Sequence, residues 1–280
     1  MLMSIFLFSL MDASVKWLGA IYPTTQIMFF RCAVAMVPIA LIVIMRGGPR
    51  VLRTRQKNLH LLRSFLGVSA MGLAFFAFPP IPLAEAISIL HTAPIFMTAL
   101  SVLLLGEQVG LRRWAAVITG FIGMLIVVRP GSASFEAGSL YMLAAALLIA
   151  CTTIIIRHLS AKDDPVCITF YFTLTGIAVS LAGFALQDWV LPPLADLSLL
   201  ILVGLFGGMA QYLMTLSYRH VAIAIVAPLK YLSIVFGGML AYLVWEEVPD
   251  LYATIGISVI IVSGLYTLHR ELLHGIRPLP

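Results

Sequence analysis

Residues 82–110, PLAEAISILHTAPIFMTALSVLLLGEQVG, and residues 222–250, AIAIVAPLKYLSIVFGGMLAYLVWEEVPD, decide the fold of this chain. Each holds an apolar run long enough for a bilayer, which takes about 20 residues of helix. A proline interrupts each run, Pro94 in one and Pro228 in the other, and an acidic turn closes each. Runs this long are not barrel strands, and a helix is the only open-ended structure that satisfies its own backbone in lipid. The segments that open each half, SVKWLGAIYPTTQIMFF (14–30) and IIIRHLSAKDDPVCITFYF (154–172), can be laid over one another at a similar offset. The chain therefore reads as an all-α polytopic membrane protein of five helices plus five. Five is odd, so the second set enters the membrane from the opposite face and the repeats are inverted. Secondary transporters use this arrangement, with a substrate site near the midplane at the repeat interface.

The rest of the chain agrees. It is 61% hydrophobic and 10% charged over 280 residues, with a mean hydropathy of +1.07, against about 45–50% apolar and 25% charged in soluble domains. Ten spans are predicted, at 2–20, 24–45, 60–79, 83–105, 112–129, 138–157, 166–186, 197–218, 222–244 and 251–269. The repeats occupy 1–131 and 138–270, with a tail at 271–280, and no length remains for a soluble catalytic domain. Arg46, Arg50, Arg53, Arg55, Lys57 and Arg63 surround the second connection, Arg112 and Arg113 the fourth, Arg157 and Lys162 the sixth, Arg219 the eighth, and Arg270 and Arg277 the tail. These are the even-numbered connections, and the odd ones hold almost no basic residue except Arg129. By the positive-inside rule both termini lie on the cytoplasmic side of a bacterial inner membrane. The pI of 9.3 does not signify nucleic acid, because the basic residues are spread over short loops. Cys32, Cys151 and Cys167 lack the spacing of a metal site or redox pair. The first apolar run carries Asp12 and Lys16 and reads as a retained helix rather than a signal peptide. No nucleotide loop, zinc signature or nucleophile elbow occurs, so neither a cofactor nor an enzyme activity is expected.

Charges at membrane depth are costly, by about 2.5–3.5 kcal/mol on insertion scales, and mark functional candidates. Asp12 and Lys16 lie one turn apart in the first segment, and Arg31 lies about two turns into the second. They form either a structural ion pair, Asp12 with Arg31 or Lys16, or a cavity that meets a charged substrate or a coupling proton. Lys230 follows Pro228, which leaves the Ala224 carbonyl without its helical donor. An ammonium beside an opened helix is the leading site candidate, the alternative being a structural pair with Glu85 or Asp12. His91, close to Pro94 in the fourth segment, occupies a nearly equivalent position and is a candidate for proton coupling. Glu85, Gln211 and Tyr212 add polar groups, and Tyr171 and Tyr231 add aromatic faces for a planar substrate. Trp17, Trp114, Trp189 and Trp245 fall near predicted helix ends and read as interfacial anchors. Glu107, Glu246 and Glu247 read as turn residues whose donors come from the next helix. Gly204 with Gly208, and Gly120 with Gly123, read as packing notches.

FSLMDASVKWLG (8–19), TTQIMFFR (24–31), WAAVITGFIGMLIVVRPG (114–131) and AQYLMTLSYRHVAIAIVAPLKYL (210–232), with the two acidic turns, resemble the EamA-type branch of the drug/metabolite transporter superfamily. The resemblance covers nearly the whole chain. It implies a ten-helix metabolite carrier and places Asp12 and Lys16 in a family motif of the first helix. Within the branch these stretches are similar to S-adenosylmethionine uptake carriers and, less closely, to riboflavin carriers, while other members export amino acids. The expected partner is a small zwitterionic, cationic or aromatic solute, within lipid. Drug export is the alternative, and a passive channel or a membrane-embedded lipid enzyme is the rival from another class.

Overall fold

A computed structural model describes residues 1–93, 95–97, 99–100, 111–130, 136–185, 189–220 and 229–273. Among them there is no strand. The helices are α1 Leu2–Gly19, α2 Thr24–Met45, α3 Lys57–Ala77, α4 Leu83–Leu90, α5 Leu111–Val128, α6 Gly138–Ser160, α7 Pro165–Phe184, α8 Leu194–His220, α9 Leu232–Trp245 and α10 Leu251–Leu273, with a short 3-10 turn at Gly48–Leu52. Each predicted span therefore has its helix. Six of them, α1, α2, α3, α6, α7 and α8, are long and apolar enough to cross a membrane, and shorter apolar stretches lie in α4, α5, α9 and α10. Pro94, Pro228, Ala224 and Glu107 lie outside the described residues.

Apolar residues occur on both the inner and the outer faces of the helices, so what separates inside from outside is size and polarity. Val37, Leu41, Leu61 and Phe65 are exposed where lipid would lie, while Ala35, Ala74, Ala145, Ser64, Thr169 and Thr173 are buried. Small residues set the closest crossings. A Cβ on Gly204 would lie 2.7 Å from Phe30 O, and one on Gly208 2.6 Å from Ala35 Cβ, so both expected notch residues seat α8 on α2. Gly123 and Gly256 do the same for α5 and α10, where a Cβ on Gly256 would lie 2.7 Å from Gly123 O. Gly256→Leu is expected to destabilise by about 1–3 kcal/mol or more through overpacking, read as a lower melting temperature of the purified protein.

Neighbour relations come in matched sets. α3 packs on α6 and α8 on α1, α2 packs on α8 and α7 on α3, and α1 packs on α9 and α6 on α4. The remaining major pairs are α2 with α7, α4 with α9 and α5 with α10.

Two layers of polar contacts mark the two ends of the bundle. At one end Asp164 caps α7 through Val166 N (2.9 Å) and meets Arg46 (2.9 Å) and Arg219 (3.6 Å). Asp163 beside it accepts from Thr54 (2.7 Å) and contacts His60 Nε2 (2.7 Å). At the other end Tyr22 donates to Asp196 (2.7 Å), and Gln26 exchanges hydrogen bonds with the Val190 backbone. Lys16 there meets Glu247, and Arg129 pairs with Asp250 and lies over Tyr252. That last pair explains the one basic residue in an odd-numbered connection: Asp250 neutralises it on the spot. The Arg129 hydrogen bond, with the Ala253 amide behind it, holds the Asp250 carboxyl below its ordinary range. The stability this clamp gives is present above the ordinary carboxylate pKa and is lost only as pH falls through the lowered one.

Candidate functional site

The first segment's charges separate in the fold. Lys16, 6% exposed, donates to Glu247 Oε1 (2.5 Å) and to Ile81 O (2.7 Å) and lies 5.2 Å from the Trp245 ring. Glu247 Oε2 in turn accepts from Leu83 N (2.9 Å), at the start of α4. Lys16 is therefore a structural cation that ties α1 to the α4 start and to the turn after α9. The donors to the acidic turn come from α1 and α4, which corrects the expectation that the next helix supplies them; Asp250, further on, does cap α10 through Ala253 N (2.8 Å). Glu246 closes α9 in the left-handed conformation, φ 54°.

Asp12 is half-buried, and among the described residues it has no ion pair or hydrogen bond. The expected pairing with Arg31 or Lys16 is thus corrected: Lys16 is engaged elsewhere, and Asp12 senses the Arg31 charge only across a gap. Arg31, 3% exposed on α2, has weak contacts, Gly207 O at 3.4 Å and Cys32 Sγ at 3.8 Å, and its Nε has no partner. Gly207 is what lets the guanidinium in, since a Cβ there would meet Arg31 Nε at 3.0 Å and Met11 Sδ at 2.7 Å.

A second buried guanidinium lies at the same aromatic ring as the first. Arg63, 2% exposed, has Nε and one terminal nitrogen without partners and makes no ion pair among the described residues. Its Cζ lies 4.0 Å from the Phe172 ring centre, and that of Arg31 lies 5.0 Å from the same centre. The sequence reading counted Arg63 with the basic residues around the second connection, although the predicted span 60–79 already contained it. α3 begins at Lys57, three residues earlier than expected, which carries Arg63 about 9 Å into the helix at 1.5 Å per residue. The signal that could have found it is the spacing of His60, Arg63, Ser64 and Gly67, which puts polar and small residues on one helical face while Leu61, Leu62 and Phe65 face outward. Ser64, Thr173 and Gln211 also each keep a buried polar atom without a partner. Ser64 and Thr173 adjoin Arg63 and Phe172 in sequence, and Gln211 lies one turn beyond Gly207.

A second polar junction joins α4 and α9. The helical course of the fourth segment breaks at His91 and Thr92, and that of the ninth breaks at Tyr231. His91 Nδ1 lies 2.7 Å from Ile87 O and Nε2 lies 2.9 Å from Ser233 Oγ, which is itself 2.7 Å from Lys230 O. The His91 and Tyr231 rings lie 5.9 Å apart. Lys230 is half-buried with its ammonium 5.4 Å from the Tyr218 ring, and it pairs with neither Glu85 nor Asp12. Tyr231, 8% exposed, packs where Gly264 leaves room for its hydroxyl.

The other candidates lie elsewhere. Tyr171 donates to Leu52 O (3.0 Å) and stacks on His60, fixing the loop end of α7. Tyr212 packs among Ala35, Ile39, Val43 and Val166. Glu85 lies in the first turn of α4, near the Lys16, Glu247, Arg129 and Asp250 charges. Trp17 meets Trp245, and Trp189 packs on Phe29 and Phe184.

The model of the "EamA-like transporter family" matches residues 1–129 and again residues 136–268. The chain is 32% identical over 267 residues to "Pseudopaline exporter CntI" of Pseudomonas aeruginosa, with 95% of this chain and 93% of that protein covered. It is 28% identical over 271 residues to the "S-adenosylmethionine uptake transporter" of Rickettsia bellii, covering 95% and 92%. To the "Riboflavin transporter" of Vibrio cholerae it is 31% identical over 251 residues, covering 89% and 84%. A crystal structure at 18% identity superposes with a TM-score of 0.69 over 98% of this chain and 99% of that one, a likeness of fold.

Proposed function

Because the chain belongs to the EamA-like transporter family, we propose that it is a secondary carrier working by alternating access in a bacterial inner membrane, built from inverted repeats at 1–131 and 138–270. It is a multi-pass transporter of small metabolites and not an enzyme, as its family and relatives are. The inverted arrangement is supported by the packing: exchanging each helix with the one five places away returns the same major pairs. The even-numbered connections that carry the arginines gather at the Asp163 and Asp164 end, which supports a cytoplasmic assignment for that end.

The observation that carries the transport reading is the set of charges without full partners where α1, α2 and α8 meet, buried Arg31 and half-buried Asp12 above all. In the bilayer such groups are retained where a ligand or a water-filled path completes them. The cargo is a zwitterionic or aromatic metabolite of the amino acid or S-adenosylmethionine kind. Asp12 takes its cationic group and Arg31 its carboxylate. The relatives' names include both an exporter and uptake transporters, in keeping with a direction set by gradients rather than by fold.

Lys230, Tyr231 and His91 form the second part of the site, at the paired helix breaks expected of a repeat interface. With Nδ1–H donating to Ile87 O, a neutral His91 leaves Ser233 one proton for two acceptors, His91 Nε2 and Lys230 O. A further proton on Nε2 completes the network, so His91 is the coupling candidate. Glu85, Tyr171 and Tyr212 are left outside the site.

Proteoliposomes loaded with unlabelled amino acids or S-adenosylmethionine test the carrier. Saturable counterflow of the labelled solute is expected, whereas single-channel conductance without counterflow would replace the carrier by a channel. Lys230→Ala is expected to lower initial counterflow rates about tenfold or more, the cost of a charge-assisted contact, with insertion unchanged, while Arg50→Ala in the loop has little effect.

A further inference from the structure

Resting on the carrier reading, we propose that Arg31 and Arg63, both within about 5 Å of the Phe172 ring centre, form a two-armed oxyanion clamp, and that the cargo is an amino dicarboxylate. Both guanidiniums are at least nine-tenths buried, at 3% and 2% exposure. Neither has an ion pair among the described residues, and three of their donor nitrogens have no partner at all. Planar guanidinium forks match carboxylates in a bidentate manner, and burial makes such contacts both strong and selective. Phe172 holds the two forks by cation–π contact at 5.0 and 4.0 Å without neutralising them.

The charge balance sets the substrate class. Two arginines without ion pairs stand against one unpaired carboxylate, Asp12, which senses the Arg31 charge, so the set is balanced by a solute with one ammonium and two carboxylates. The ammonium meets Asp12, and the carboxylates meet Arg31 and Arg63. Ser64 and Thr173, next to Arg63 and Phe172 in sequence, and Gln211, one turn beyond Gly207, each keep a further buried polar atom without a partner. The arms also come from opposite ends of the bundle: Arg31 lies near the start of α2 and Arg63 near the start of α3, and these consecutive helices run antiparallel. A ligand that bridges them joins the two halves of the path, as an occluded carrier state requires.

The test uses the purified full chain, with glutamate and aspartate as amino dicarboxylates, succinate, glycerol phosphate, methionine, lysine and riboflavin as the comparison set, and Arg63→Gln and Arg63→Lys as variants. Glutamate or aspartate is expected to raise the melting temperature of the wild type most. Arg63→Gln is expected to lose about tenfold or more in affinity for them, the loss of one charge-assisted contact, with Arg63→Lys in between. Without ligand, Arg63→Gln is expected to melt at or above the wild-type temperature, because a buried uncompensated charge has been removed; this shows that the fold survives. Stabilisation by lysine, methionine or riboflavin alone, by none of the set, or equally in wild type and Arg63→Gln would overturn the clamp. Preference for glycerol phosphate would overturn the dicarboxylate class. If glutamate binding needs Arg63 but no solute shows counterflow, the clamp stands and the carrier reading fails.

Discussion

Lys16→Met is expected to destabilise the protein by about 3–5 kcal/mol, the cost of stranding one member of a buried ion pair. The loss follows from the contacts Lys16 makes: Glu247 at 2.5 Å and Ile81 O at 2.7 Å, with Trp245 over the ammonium. Without Lys16, Glu247 keeps only the Leu83 amide, and the joint between α1, α4 and the end of α9 loosens. Glu247→Gln alone strands Lys16 and lowers stability too, whereas Lys16→Met with Glu247→Gln recovers much of the loss because the amide still accepts from Leu83. Thermal melts of the three variants check this. Additive losses would show that the two side chains do not act as a pair.

Asp12→Asn is expected to do the opposite. Four residues away on the same helix, its carboxylate stabilises nothing by direct contact, so the melting temperature stays within a few degrees of the wild type. Counterflow, in contrast, falls about tenfold or more, the cost of a lost charge-assisted contact to substrate. Large destabilisation with residual transport would make Asp12 a structural residue. The two variants together separate charges that hold the bundle from charges that serve the cargo.

The helices and their number were legible because lipid demands long apolar runs and penalises any other backbone. Gly204, Gly208 and Gly123 were legible as packing residues because only a missing side chain admits a neighbouring backbone so closely. Pairings between distant helices were not. Asp12, Lys16 and Arg31 are close in sequence and invited a local pair, yet Lys16 reaches a residue 231 positions away. Nothing in α1 alone states that Glu247 will stand beside it. Arg63 was counted among the loop charges although it lay inside the predicted third span, because its burial depends on the helix that packs beside it, here through Phe172. Tyr171 was read as a stacking face because aromatic type says nothing about where a hydroxyl finds its acceptor, here Leu52 O.

In the proposed carrier, one buried polar site is reached alternately from the two ends of the bundle. The most direct test of this alternation places a single cysteine at Gln211, beside the Arg31 pocket, in a background with Cys32, Cys151 and Cys167 replaced by alanine. A photoreactive benzoylphenylalanine placed at Tyr22, which meets Asp196 at the end away from Asp163 and Asp164, is cross-linked by light before position 211 is probed with an impermeant thiol reagent. Without the cross-link, labelling is expected from either face of the membrane; with it, labelling is expected only from the face that carries Asp163 and Asp164. Labelling from one face alone before cross-linking, or from both faces after it, would contradict alternating access.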